Sequence, residues 1–274
     1  MAAVEAERTP AVARALRVLS LLEKAQGAPL GVSDMARRLS VARSSLFNIC
    51  LTLETEGMIQ RASGGYLLGR RLVELGGAWL RGSDPVQTFY QVCLDTPELE
   101  GEICQLAVLN HTEVLYLAAH AGRTPLRMTA SIGSRFPASI TAVGNALLAG
   151  LDDDEIRRRF HDPATRPAWT GRSVVELEAL VEKIARVRER GYGRDEGEVF
   201  PGVLGLARVV APQQSGDQPL ALGTSLMTSS AGEAVEREAV AALGTMARRI
   251  ANPMNLALEP TPEARPAQTA SDTD

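Results

Sequence analysis

Residues 41–69 read VARSSLFNICLTLETEGMIQRASGGYLLG, a segment of one helix length followed by two short apolar runs. A helix over 42–56 places most of its apolar side chains on one side, namely Leu46, Ile49, Cys50 and Leu53. The opposite side is mostly small and polar, and it comprises Ser44, Asn48, Leu51, Thr52 and Thr55. Such a side suits the floor of the DNA major groove, which is about 12 Å wide.

Two helices are predicted upstream of this one. Thr9-Pro10 begins the first, because proline is favoured at the first helical position, and its apolar spacing continues to Gly27. Ser33 is expected to cap a second, short helix over 34–39. A tight connection at Ser40-Val41 then leads into the third helix.

The apolar runs after the third helix predict a hairpin. Residues 58–61 and 66–68 flank the turn-forming sequence Ala-Ser-Gly-Gly at 62–65. Helix, short helix, turn, helix, hairpin is the order of a winged helix-turn-helix domain. A small helical domain with a solvated helix face is the other interpretation of the same order.

Composition describes an ordinary globular protein. The 274 residues are 45% hydrophobic and 23% charged, and they suffice for about two domains. No run of 18 apolar residues predicts a membrane span, and residues 1–9 lack the apolar core of a secretory signal, so a cytoplasmic protein is expected. Three widely spaced cysteines predict neither a disulfide framework nor a metal site.

Charge divides the chain into two parts. Residues 1–82 hold 11 Lys+Arg against 7 Asp+Glu, whereas residues 83–274 hold 18 against 26. A basic N-terminal part joined to an acidic remainder favours a polyanionic partner at the N-terminal end.

A helical linker over 71–100, broken near Gly82–Pro85, is predicted after the hairpin. It carries an apolar stripe formed by Leu72, Leu75, Trp79 and Leu80. A thin connector cannot bury this stripe alone, so either a partner subunit or a contact within the chain is expected to cover it.

The remainder alternates strands and helices and predicts an α+β or α/β domain with one mostly antiparallel sheet. Predicted strands are 103–109, 114–118, 126–132, 203–210 and 220–227. Predicted helices are 141–149, 152–160, 173–190 and a closing helix that ends near 258. Capping pairs are expected at Asp152/Glu155, Ser173/Glu176 and Ser230/Glu233.

Two other classes of function compete with DNA binding. An enzyme is disfavoured, because no nucleophile elbow, P-loop, dinucleotide-binding glycine motif or zinc-protease motif occurs, and no cofactor is expected. His111, His120 and His161 are too scattered for a metal site. The second class is a winged helix that mediates only protein contacts.

Several segments together resemble the IclR-type transcriptional regulators. They are Ala15–Leu19, Ser44-Ser45, Leu53-Glu54, Glu56-Gly57, Tyr66–Gly69, Leu75-Gly76, Pro137 with Thr141–Ala149, and Arg190–Tyr192 with Glu198 and Pro201–Val203. The resemblance covers about residues 10–258. It implies a winged helix that binds double-stranded operator DNA, a GAF-like domain that binds a small organic effector, and a homodimer or dimer of dimers.

The organisation expected from these observations has two domains of overall α+β class. Its parts are a disordered N-terminus (1–9), a winged helix-turn-helix domain (10–70), a helical linker for dimerisation (71–100), an effector-binding domain (101–258) and a disordered tail (259–274). Repression, controlled by a small organic acid or an aromatic metabolite, is the expected mode of regulation.

The predicted DNA contacts follow the division between base edges and phosphates. Ser44, Ser45 and Asn48 are the candidates for reading bases, and Asn48 can pair bidentately with adenine. Arg37, Arg38 and Arg43 are the candidates for phosphate contacts. Arg61 in the wing is expected to reach the DNA backbone or the minor groove.

The resemblance also carries over an effector site. Its residues are Ile132, Gly133, Ser134, Asp195, Gly205, Leu206, Gly223 and Ser225. The loop 132–134 is expected to offer backbone N–H groups to an acid, whereas Glu198 is expected to hold the loop before Pro201 rather than contact ligand.

The chain departs from the family pattern at several positions. Asn145 replaces the usual lysine, and Asn48 stands where arginine is frequent. Gly205 replaces a frequent cysteine, and Gly223 replaces one of two frequent serines, of which Ser225 remains. The two glycines suggest a roomier and less polar pocket than one built for a two- or three-carbon keto acid.

Overall fold

The computed structural model describes residues 9–81, 84–122, 131–213 and 216–252. They form two compact units, one ending at residue 83 and the other starting at residue 84. Residues 1–8 of the predicted N-terminus, the tail over 259–274 and most of the predicted strand 126–132 lie outside the described residues. None of the described helices is both long and apolar enough to cross a membrane.

The first unit has the winged helix-turn-helix order. Its elements are α1 (Pro10–Lys24), α2 (Val32–Leu39), α3 (Arg43–Thr55), β1 (Ile59–Ala62), β2 (Gly65–Leu68) and α4 (Arg71–Arg81). The strands β1 and β2 pair antiparallel. Side chains of α1, α2, α3 and the hairpin share one core, which includes Val18, Met35, Leu46, Cys50 and Tyr66.

One predicted cap in this unit is wrong. The helix α2 begins at Val32 with Gly31 as its N-cap, so Ser33 lies inside the first turn. The backbone of Leu30, one residue earlier, exchanges two hydrogen bonds with Tyr66. This bridge fixes the chain before α2 and lets the helix start sooner than the serine indicates.

The second unit is built on one six-stranded antiparallel sheet. Its elements are α5 (Asp84–Leu94), β3 (Ile103–Asn110), β4 (Glu113–His120), β5 (Arg135–Pro137), α6 (Ala142–Leu148), α7 (Asp153–Arg159), α8 (Leu177–Arg190), β6 (Gly193–Glu196), β7 (Val203–Val210), β8 (Leu220–Met227) and α9 (Glu233–Ala251). The strand order is β5-β4-β3-β8-β7-β6. The helices α6–α8 cover one face, and α5 and α9 pack against the other.

Some elements of this unit differ from the predictions. Ser131 and Ile132, the described end of the predicted strand 126–132, are not in a strand, and the edge strand β5 lies at 135–137 instead. The strand β6, with sequence GRDE, was not predicted, because its polar side chains carry no apolar alternation.

The predicted caps of the last two helices are also wrong. The helix α8 begins at Leu177, because the Ser173 hydroxyl accepts from the N–H groups of Trp169 and Thr170 and donates to the Glu198 carbonyl. The helix α9 has Gly232 as its N-cap, and the Ser230 hydroxyl donates instead to the Met227 carbonyl.

The third predicted cap is confirmed. Asp152 is the N-cap of α7, and its carboxylate accepts from the Glu155 N–H at 2.7 Å.

Candidate DNA-binding surface and effector cavity

The outward side of α3 carries the predicted polar face. Ser44, Asn48, Leu51, Thr52 and Thr55 are exposed, whereas Leu46, Cys50 and Leu53 are buried. Among the base-reading candidates, Ser45 is half-buried and the other two are exposed. The helix therefore leaves an unburied polar side of about three turns.

The basic residues near α3 differ in their partners. Arg37 is paired with Asp34 at 2.6 Å on the surface of α2. Arg38 and Arg43 are exposed, and neither has an ion-pair or hydrogen-bond partner within the described part of the chain. No described carboxylate therefore competes with an anion for the guanidinium groups of Arg38 and Arg43.

A groove of about 550 Å³ lies between α3 and the wing. Arg43, Ser44 and Phe47 line it from the helix, and Arg61 and Tyr66 line it from the hairpin. It therefore brings three predicted DNA-binding residues, Arg43, Ser44 and Arg61, to one concave surface.

Arg61 of the wing is held by two other elements. Its Nε and Nη2 donate to the two carboxylate oxygens of Glu54 at 3.2 and 3.1 Å, and Nη2 also lies 2.9 Å from the Tyr66 hydroxyl. The hydrogen bond from Arg61 lowers the pKa of the Glu54 carboxyl below its usual value. Sequence alone gave no signal for this contact, because Glu54 and Arg61 belong to different elements.

In the second unit, a cavity of about 50 Å³ lies between the sheet and α6, with room for roughly four water molecules. It is lined by five of the predicted effector residues: Asp195, Gly205, Leu206, Gly223 and Ser225. The structure therefore brings together side chains from β6, β7 and β8, as the resemblance implies.

The predicted loop 132–134 does not line the cavity. The Gly133 N–H donates to the Tyr116 carbonyl at 2.8 Å, and the Ser134 N–H donates to the Ser131 carbonyl at 2.9 Å. Ile132 is exposed. Two of the N–H groups expected to bind an acid are thus used to close the turn before β5.

Several residues that sequence analysis did not assign to the effector site complete the cavity. They are Ile103, Gln105, Tyr116, Phe136, Thr141, Ala142, Val143, Val199, Phe200, Val203 and Thr224. Strand alternation on β3 and β4 could have indicated Gln105 and Tyr116, which face the same side as the Gly223 region of β8. The position of Phe200 depends on the loop after β6 and had no sequence signal.

The two glycines do not enlarge this cavity, which corrects the expectation of a roomier pocket. A Cβ atom at Gly205 would lie 2.5 Å from Oδ2 of Asp195, and one at Gly223 would lie 2.6 Å from Cγ1 of Val143. The space of the absent side chains is therefore occupied by the Asp195 carboxylate at Gly205 and by Val143 of α6 at Gly223.

Asp195 is the buried ionisable group of the cavity. Burial raises the pKa of its carboxyl to about 7, although the Glu198 N–H donates to Oδ1 at 3.1 Å and favours the ionised form. Among the described residues that line the cavity, none is a lysine, arginine or histidine. At neutral pH, Asp195 can therefore be present as either a hydrogen-bond donor or an acceptor.

The cation nearest to Asp195 is committed to other partners. The Lys183 ammonium lies 2.6 Å from the Glu198 carboxylate and donates to the Ser139 carbonyl at 2.8 Å. Glu198 also accepts from the Val174 N–H. Glu198 thus ties the loop before Pro201 to α8 and to the segment that precedes it, as expected.

The described residues contain no cluster of His, Cys, Asp and Glu that could hold a metal ion. Asp195 is the one acidic residue among the described residues that line the cavity.

Comparison with protein families covers both units. The IclR helix-turn-helix domain matches residues 11–63, and the C-terminal domain of the bacterial transcriptional regulator IclR matches residues 89–252. The chain belongs to the IclR family of bacterial transcriptional regulators. It is accordingly a DNA-binding transcriptional regulator, and the family comprises regulators rather than enzymes.

Relatives of the whole chain agree with this assignment. This chain is 28% identical over 258 residues to the HTH-type transcriptional regulator KdgR of Escherichia coli (strain K12). The match covers 93% of this chain and 97% of that protein. The crystal structure of the IclR transcriptional regulator from Alicyclobacillus acidocaldarius matches with a TM-score of 0.76 and 28% identity, covering 89% of this chain and 98% of that one.

One solved relative contains a bound small molecule. The IclR homologue from Microbacterium hydrocarbonoxydans, crystallised in complex with 4-hydroxybenzoate, matches with a TM-score of 0.70 and 26% identity. The match covers 88% of this chain and 97% of that chain.

Proposed function

We propose that this IclR-family protein is a repressor that places α3 in the major groove of its operator. Ser44, Ser45 and Asn48 read base edges, while Arg37, Arg38 and Arg43 contact phosphates and Arg61 contacts the backbone beside the wing. The observation that carries this proposal is the exposed polar side of α3 next to Arg43, which has no ion-pair partner among the described residues.

The effector binds in the cavity around Asp195. It is a small organic acid or an aromatic metabolite, and the relative that binds 4-hydroxybenzoate supports both descriptions. The volume of about 50 Å³ accepts a molecule of a few non-hydrogen atoms directly. An aromatic ring is larger than this volume, so its binding requires side chains that line the cavity to move.

An acidic effector meets Asp195 in a cavity whose described lining residues include no lysine, arginine or histidine. Two carboxyl groups in one buried site share a proton, because both cannot ionise at close range. Protonated Asp195 then donates to the carboxylate of the effector. Binding of an acid is thereby accompanied by proton uptake above pH 7, where Asp195 of the free protein is ionised.

The working form is a homodimer or a dimer of dimers. Two recognition helices must lie about 34 Å apart to enter successive major grooves. The exposed apolar side chains of α4, Val73, Leu75 and Trp79, offer a surface for a second subunit. An effector that binds one dimer geometry more tightly than the other changes this spacing and hence the affinity for DNA.

Selection of genomic fragments by the full-length protein tests this function. The enriched fragments are expected to lie next to a small number of genes. Adding the substrates or products of the proteins that these genes encode is expected to release the DNA. The control is a variant in which Asn48 and Arg43 of α3 are both substituted. If the unaltered protein enriches no fragment relative to this variant, the proposal is contradicted.

A further inference from the structure

An acidic residue lies at the end of the recognition helix, where simple electrostatics disfavours it. Glu54 belongs to the last turns of α3, and a carboxylate near DNA repels the phosphates. Its side chain is 31% exposed and pairs with Arg61 of the wing. The pair therefore lies on the part of the molecule that faces DNA in the proposed function.

The contact with Glu54 pairs the charge of the Arg61 guanidinium and also fixes its orientation. Arg61 uses Nε and Nη2 for the two oxygens of Glu54, and the second proton of Nη2 points to the Tyr66 hydroxyl. A bidentate contact of this kind holds the guanidinium plane. Of the five N–H groups of an arginine, the two on Nη1 have no partner among the described residues.

Tyr66 connects this contact to the core. It is 4% exposed, stands directly across the hairpin from Arg61, and exchanges two backbone hydrogen bonds with Leu30. Its hydroxyl also lies 3.4 Å from the Glu54 carboxylate. The guanidinium is thus held from α3, from β2 and, through Tyr66, from the chain before α2.

We propose that Glu54 and Tyr66 are positioning residues, which hold Arg61 so that its free Nη1 edge meets a DNA phosphate beside the wing. This inference rests on the proposed contact between the wing and DNA. It assigns to Glu54 a favourable effect on DNA affinity, opposite in sign to the direct effect of its charge.

The substitution Glu54→Gln distinguishes the two effects. A glutamine has one acceptor oxygen and turns an amide N–H₂ toward the guanidinium, so the bidentate contact is lost. Although a negative charge is removed, DNA binding is expected to weaken about fivefold, within the range of coupling between contacting residues. The slope of log K against log salt is expected to fall by about one, because one phosphate contact is lost.

The matched control is Glu56→Gln. Glu56 is exposed, lies two residues further along the chain, and has no partner within the described part of the chain. The same charge change there is expected to leave the affinity unchanged or slightly increased. The probe for all variants is a mixed-sequence duplex at low salt, followed by fluorescence anisotropy.

Two further variants separate positioning from folding. Tyr66→Phe removes only the hydroxyl, and the remaining ring still fills the core. This variant is expected to weaken DNA binding, as Glu54→Gln does. In an Arg61→Ala background, Glu54→Gln is expected to have no weakening effect, because the residue acts through Arg61. Thermal unfolding of each variant reports any loss of structure separately.

Equal or tighter binding by Glu54→Gln, with an unchanged salt slope, would overturn the proposal. So would weakening of the same size in the Arg61→Ala background. Failure of the proposed DNA surface as a whole gives a different result, because Arg43→Ala would then also leave the affinity and the salt slope unchanged.

Discussion

Asn48 and Arg43 both lie on α3 but should affect DNA binding in different ways. Asn48→Ala is expected to relax specificity at one base step, by about 1–3 kcal/mol, because a bidentate contact to a base is lost. Arg43→Ala is expected to weaken binding to all sequences and to reduce the salt slope by about one. Binding measured across single-base operator variants and across salt concentrations checks both effects; a sequence-specific effect of Arg43→Ala would contradict its assignment.

Asp195 makes stability depend on pH in a predictable direction. Its pKa is about 7 in the folded protein against an ordinary 3.8, so the unfolded chain releases the proton first as pH rises. The favourable contribution of Asp195 to the free energy of unfolding is therefore present below pH 4 and is lost between pH 4 and 7. Since each pKa unit corresponds to about 1.4 kcal/mol, the change is at most about 4 kcal/mol.

The substitution Asp195→Asn is accordingly expected to raise the free energy of unfolding more at pH 8 than at pH 4, as measured by urea denaturation. Asp154→Asn, at an exposed carboxylate of α7, is the control and should change stability little at either pH. If the free energies of unfolding of Asp195→Asn and the unaltered protein differ by the same amount at every pH, Asp195 does not titrate in this range.

At the residue scale, the sequence predicted the faces of α3 but not the contacts between elements. Helical periodicity alone separates Leu46 from Asn48, because each position has a fixed angle around the helix. The partner of Arg61 depends on how the hairpin folds back on α3. The space beside Gly205 depends on where Asp195 points, and the space beside Gly223 depends on where Val143 of α6 lies. For this reason the two glycines were interpreted wrongly.

The contact between α6 and the sheet depends on small residues. Because a Cβ at Gly223 would lie 2.6 Å from Val143, Gly223→Ala is expected to force α6 away and destabilise the second unit by about 1–3 kcal/mol. Gly171→Ala is the control, since nothing lies within 4 Å of a Cβ there. Chemical denaturation checks both; equal stabilities would mean that α6 adjusts without strain.

At the element scale, the long strands were predicted best. The bounds of β7 and β8 agree with the predictions, because both are long apolar runs between turn residues. The short strand β6 is polar and is held by its pairing with β7, and that pairing is set by the fold rather than by local sequence. The misplaced cap of α8 has the same origin, since Ser173 finds a partner across the chain at Glu198, whereas the Ser230 hydroxyl bonds locally to Met227.

The whole molecule is expected to work as an oligomer. Trp79 on α4 is 57% exposed and lies beside other exposed apolar residues, so Trp79→Glu is expected to shift the protein toward monomer and lower its affinity for DNA. Trp169→Glu is the control, because Trp169 is 46% exposed in the second unit and packs on Phe136. Analytical ultracentrifugation checks the mass; an unchanged oligomer for Trp79→Glu would place the subunit contact elsewhere.

Cross-linking to DNA tests directly whether the exposed side of α3 enters the groove. The three native cysteines are buried, so a photoactivatable group can be attached selectively after Ser44→Cys, Asn48→Cys or, as a control in the second unit, Thr245→Cys. Cross-links to an operator fragment are expected from positions 44 and 48 and not from position 245. Cross-linking from position 245 alone, or from none of the three while the DNA remains bound, would contradict the assignment of α3 as the recognition helix.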